Sequence, residues 1–236
     1  MLHAGIGLSF AERLLKELRP NSSMGEARGV LERFVDLCRR NSRDGYVGCG
    51  LESLGLVTRA FQQQLLTLVD RCLGEHFDEE ILGFFWHGVG RGTYFSPENF
   101  VPCCGLPWKK LAHDAPHETA KQNTFAGLAW AITLVNMRQP VIMEALARQE
   151  GDHLSQTDWF ANGVGSSMIM RYDTTPGARF IDAYCHHQSA DAKTLGLWNK
   201  LLKAPCDNLT RYHAAIKRAR RLGEVFRYQS LQKLAT

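Results

Sequence analysis

Four things are missing from this sequence: a C-x-x-C pair, a G-x-S-x-G turn, an uncharged apolar run of membrane-spanning length and a basic leader. Each absence removes a class of function. The seven cysteines stand at positions 38, 49, 72, 103, 104, 185 and 206, an odd count without the spacing of a zinc or thioredoxin-type site. They read as reduced, mostly buried thiols, and no metal is expected. The longest uncharged apolar stretch, Thr124 to Met137, lies between Lys121 and Arg138 and contains Asn136. That is too short and too polar for the ~20 residues of a membrane span, so it reads as a buried helix. The opening segment MLHAGIGLSFAERLLKELRP carries Glu12, Arg13, Lys16 and Glu17 where a signal peptide stays apolar, which points to the cytoplasm. A formal charge of +4 is small for 236 residues, so nucleic acid is not the expected partner. Without a nucleophile elbow, a papain-type cysteine context or an evident carboxylate pair, no catalytic residue is assigned.

What the chain does have is repetition. At 44% hydrophobic and 22% charged residues it is an ordinary globular composition, read as a single domain over residues 1–236. The segments HAGIGLSFAERLL, GYVGCGLESLGLV, FWHGVGRGTYF, TFAGLAWAITLV and FANGVGSSMIM share a glycine, an apolar residue, then glycine or alanine. Their first glycines, Gly5, Gly48, Gly88, Gly127 and Gly163, are spaced by 43, 40, 39 and 36 residues. A second echo, RFVDLCRRN before Gly48 and TLVDRCLGE before Gly88, makes the unit a pair of helices.

Helical spacing such as Leu128, Ile132 and Val135 supports an all-α fold: an array of helix pairs in about five degenerate repeats of ~40 residues, wound as a short superhelix or a compact bundle. Glycine costs a helix interior about 1 kcal/mol, and small residues at i and i+4 offset this by letting another backbone approach. Gly5 and Ser9, Gly88 and Gly92, Gly127 and Ala131, and Gly163 and Ser167 are such pairs. The copy at Gly48 has Glu52 in the fourth position, which predicts looser packing or a solvent-facing turn there. Two segments depart from the period: a proline-rich loop insert over 96–116, and a basic amphipathic C-terminal helix over 207–234.

HGVGRGTYF, followed by AGLAWAITLV and NGVGSSMIM, resembles the uncharacterised bacterial domain family found in enediyne biosynthesis clusters, in which segments of the form G-x-G-R-x-x-W/Y-F recur at comparable spacing. The resemblance covers Gly45 to Tyr172 and implies an accessory role in a biosynthetic pathway, with no known reaction.

Polar residues accompany each glycine motif, and stacked units would bring them to one surface. His87 and Arg91, Tyr94, Asn99, Asn123, Trp130, Asn162 and Arg171 are therefore the candidate ligand-binding residues. His87 to Gly92 is the sharpest motif, since a glycine-rich turn beside an arginine can hold an anion or can simply pack. The aromatics Phe84, Phe85, Trp86, Tyr94, Phe95, Phe100, Trp108 and Trp130 are candidates to line an apolar pocket. Histidines at 113 and 117 have an i, i+4 metal-ligand spacing that Pro116 interrupts. The leading reading is a binding or scaffolding protein whose partner is another protein or a small apolar metabolite, with no cofactor. The alternative is an enzyme of secondary metabolism acting on a partly apolar substrate near Arg91.

Overall fold

The structure, a computed structural model, describes residues 2–95 and 106–236, with no statement about the side chains of Leu106, Pro107 and Ala112. The described residues form no strand. In chain order the helices are α1 (Leu2–Leu15), α2 (Met24–Asn41), α3 (Val47–Leu51), α4 (Ser53–Phe61), α5 (Leu66–His76), α6 (Glu79–Tyr94), α7 (Leu106–Asp114), α8 (Glu118–Asn136), α9 (Pro140–Leu154), α10 (Trp159–Thr174), α11 (Arg179–Cys185), α12 (Ala192–Trp198), α13 (Ala204–Arg218) and α14 (Leu231–Ala235). Tight 3-10 turns span Gln63–Leu65 and Leu222–Phe226. The protein is all-α, and no described helix is long and apolar enough to cross a membrane.

The glycine motifs of the five repeats fall on α1, α3, α6, α8 and α10. Helices α1, α4, α6, α8 and α10 pack side by side in that order, and α13 follows on α10. Their contact is backbone to backbone. A Cβ at Gly55 would stand 1.8 Å from the carbonyl oxygen of Phe85, and one at Gly88 would stand 2.0 Å from that of Glu52. The same interlock joins α6 to α8, where a Cβ at Gly90 would stand 2.1 Å from the Thr124 carbonyl oxygen and one at Gly127 2.0 Å from that of His87. A Cβ at Gly163 would likewise stand 2.2 Å from the Ala126 carbonyl oxygen. Geometry thus accounts for the repeated glycine: any side chain would drive two helices apart. At the first copy the role falls to Gly7, where a Cβ would stand 2.5 Å from the Gly50 carbonyl oxygen, whereas one at Gly5 would meet nothing within 4 Å.

The paired helices flank this row. α2 packs on α1, α3 and α5, α5 on α6, α7 on α8, and α9 on α8 and α12. Cys38 and Cys72, which correspond in the two echoing segments, are both buried on the facing helices α2 and α5. Ser23 begins α2 with a capping box, its hydroxyl accepting from the Glu26 amide while the Glu26 carboxylate accepts from the Ser23 amide. Asp78 and Asp158 occupy the N-cap positions of α6 and α10, without a side-chain cap hydrogen bond.

Several expectations need correction. The Gly48 copy is tightly packed: a Cβ there would lie 2.1 Å from the Gly223 carbonyl, and Glu52 is fully buried. Val135 departs from the stripe of Leu128 and Ile132: those two are buried, whereas Val135 is 50% exposed. Part of the 96–116 insert is helical, since Leu106–Asp114 forms α7 and seats Trp108 in the core; Asn99, Phe100, Cys103 and Cys104 lie outside the described residues. The expected helix over 207–234 ends at Arg218. Arg220 then takes a left-handed φ of 56°, the usual way to stop a helix though here without glycine, and the chain folds back through Leu222–Phe226. That return buries Leu222, Val225 and Phe226 against the row.

Candidate functional site

Glu52 has no solvent exposure, so its carboxylate needs partners. It finds two on α6. The Arg91 guanidinium donates to one carboxylate oxygen, and His87 Nδ1 lies 2.9 Å from the other. Because a carboxylate only accepts, the imidazole is held with its proton on Nδ1, which leaves Nε2 as a base. That nitrogen is buried without a hydrogen-bond partner among the described residues. The rings of Trp130 and Phe226 stand edge-on to the imidazole at 6.4 and 6.3 Å.

Burial pushes the His87 pKa below its ordinary value of 6.5, against the opposing pull of Glu52. The folded state therefore takes up this proton at lower pH than the unfolded chain does. The stability it contributes is present above 6.5 and is lost as pH falls below it. Accordingly, the urea midpoint should drop between about pH 7.5 and about pH 5.5, and should drop less in His87→Gln. Equal drops in both proteins would exclude this histidine as the cause.

Arg91 is 14% exposed and its guanidinium lies over Trp130, 4.3 Å from the ring centroid. Beyond it opens a cavity of about 150 Å3. Its walls come from α1 (Ala4), α3 (Cys49), α6 (Arg91), α8 (Trp130, Leu134), α10 (Met170, Arg171, Thr174) and Phe226 of the C-terminal return. For the first and fifth members of the row to meet here, the row must curl on itself. The hydrogen bond from Tyr46, just before α3, to Asp173 on α10 fastens the same closure at 2.9 Å. The walls are mostly apolar, with two guanidinium groups and the Thr174 hydroxyl, which donates to the Met170 carbonyl at 3.1 Å; the Nε atoms of both Arg91 and Arg171 are buried without a hydrogen-bond partner among the described residues. Larger depressions, about 600 Å3 beside Asn208 and Tyr228 and about 380 Å3 beside Arg43 and Lys217, are lined mostly by surface polar groups.

Compared with known proteins, the chain matches no family model, no curated protein and no solved structure. The site must be read from its own geometry.

Of the residues singled out from sequence, Arg91, Trp130 and Arg171 meet at the cavity, and His87 lies just behind it. The others are elsewhere. Asn123 accepts from the Tyr228 amide at 2.6 Å, and Asn162 donates to the Gln229 carbonyl at 2.6 Å, so both tie the C-terminal return to the row. Tyr94 is buried in a second core cluster, its hydroxyl accepting from Asn136 at 3.3 Å. Trp86, Phe84, Phe85 and Trp108 are core residues rather than pocket walls. His117 caps α8, accepting from the Ala120 amide, while His113 points to solvent, so the two do not converge. No cluster suited to a metal ion is present among the described residues.

Sequence reasoning missed Glu52, Met170 and Phe226. For Glu52 a signal existed: a lone carboxylate in a repeat position otherwise kept small.

Proposed function

We propose that this protein is a binding protein of the helical-repeat type, and that its ligand is a small, partly apolar molecule held in the cavity beside Arg91. The observation that carries this is the composition of the cavity: aromatic and aliphatic walls with two guanidinium groups, each leaving a buried N–H unpartnered. An unmet buried donor costs about 1–3 kcal/mol, a cost a ligand acceptor would remove. An enzyme acting in this cavity is the weaker reading, since His87, the oriented base, does not line it. The resemblance of the glycine motifs to the bacterial enediyne-cluster family supports an accessory place in a biosynthetic pathway. The buried free thiols at Cys38, Cys49, Cys72 and Cys206 suit the reducing cytoplasm.

Methyl NMR tests the reading site by site. Adding a benzene-sized apolar probe should move the Met170 methyl resonance, which lines the cavity, and spare Met143, which sits in the second core cluster. An unmoved Met170, or equal shifts at both, would remove the cavity as the binding site.

Arg91 is a poor residue with which to probe binding, because removing it strands Glu52. Arg171 makes no ion pair or hydrogen bond through its side chain among the described residues, only a stacking contact with Phe180 at 5.0 Å. Arg171→Ala should therefore leave the melting temperature within about 2 °C of the parent while weakening ligand binding. A large loss of stability would show that Arg171 serves the fold.

A further inference from the structure

We propose that the ligand is a compact monocarboxylate, of the size of a single aromatic ring or a branched aliphatic acid, with its carboxylate on the Arg171 guanidinium; this rests on the binding reading above. The charges around the cavity are unequal. Arg91 is neutralised by Glu52, its partner in the buried ion pair. Arg171 has no carboxylate partner among the described residues, and its Nε is buried. The nearest acid along α10, Asp173, is already engaged by Tyr46, His213 and Lys217. A second arginine without an ion pair among the described residues, Arg138, also lies against the Phe180 ring, 4.3 Å from its centroid against 5.0 Å for Arg171. Arg171 is thus a cavity-lining cation that no carboxylate balances among the described residues.

A guanidinium stacked on a ring is fixed in plane, and its fork of N–H groups matches a carboxylate in a bidentate pair. A purely apolar ligand would leave the Nε proton unmet, and a neutral carbonyl would meet it without balancing the guanidinium charge or filling the bidentate fork. Size sets the rest. A cavity of about 150 Å3 walled by Trp130, Leu134, Met170 and Phe226 has the capacity of one benzene-sized group. A long acyl chain would not fit, and a phosphate would leave the apolar walls unused.

Calorimetric titration with benzoate, benzamide and toluene separates the possibilities, using the full chain, Arg171→Gln and Leu134→Phe, with folding checked by circular dichroism. Benzoate should bind the parent protein more tightly than benzamide does. Arg171→Gln should weaken benzoate at least ~10-fold and leave benzamide within a factor of about two. Leu134→Phe, which fills the cavity, should weaken all probes that bind. If benzamide binds as well as benzoate, or Arg171→Gln holds benzoate unchanged, the carboxylate inference fails and a neutral apolar cavity remains. If benzoate binding survives Leu134→Phe, the carboxylate sits elsewhere and the inference is overturned. If none of the three probes binds, both this inference and the binding reading fall.

Discussion

Replacing Gly55 by alanine should cost at least ~3 kcal/mol, lower the melting temperature by about 10 °C and sharply reduce the yield of folded protein. The added methyl would stand 1.8 Å from the Phe85 carbonyl oxygen and 2.7 Å from the Val89 amide nitrogen. Neither atom can swing aside, as the end of a lysine could. Helices α4 and α6 would have to separate, and the same two helices hold Glu52 against Gly88. The strain would therefore spread to the buried ion pair. A control comes from within the protein: at Gly29 on α2 and Gly74 on α5 an added methyl group would meet nothing within 4 Å. At those positions alanine should stabilise by up to about 1 kcal/mol, through helix propensity alone. Thermal denaturation of the three variants checks the contrast. A Gly55→Ala protein as stable as its parent would mean that the helices do not approach so closely.

Removing the Glu52 carboxylate should cost about 3–5 kcal/mol, because Glu52→Gln leaves the Arg91 charge largely buried without its counter-ion. The loss would come from the stranded partner and not from any large net benefit of the pair. Accordingly the combined variant Glu52→Leu, His87→Phe, Arg91→Met should recover most of the stability, since apolar replacements of similar volume for buried ion pairs are often neutral or better. Denaturant midpoints for Glu52→Gln and for the triple variant measure both quantities. Recovery of stability without recovery of ligand binding would separate the two duties of Arg91, closing the fold and presenting a guanidinium at the cavity. A triple variant as unstable as Glu52→Gln would mean that the polar network stabilises the fold in its own right.

The central row was legible in the sequence because backbone contact between helices tolerates only glycine and alanine, and Gly88, Gly127 and Gly163 advertise it at a regular period. The site was legible only in part. Arg91 stood out as a cation between glycines, and Trp130 and Arg171 belong to the neighbouring copies, so repeat logic brought the three together. Glu52 was misjudged for a physical reason: a carboxylate is read as solvent-facing unless its counter-ions are known, and His87 and Arg91 lie a full repeat away. Phe226 was hidden by the basic residues around it. The run from Arg211 to Lys233 looks like one amphipathic helix, and nothing short of the left-handed turn at Arg220 reveals that it doubles back. Asn123 and Asn162 precede the glycines of neighbouring copies at different offsets, and what they bind is the backbone of that returning segment.

Native mass spectrometry of the protein purified gently from its own source, compared with its denatured mass, tests the binding claim most directly. A small adduct should be present on the parent protein, leave on denaturation and be depleted in Arg171→Ala, whose fold is retained. A bare mass for the parent, or an adduct equally abundant on Arg171→Ala and on the cavity-filling Leu134→Phe, would contradict a ligand site beside Arg91.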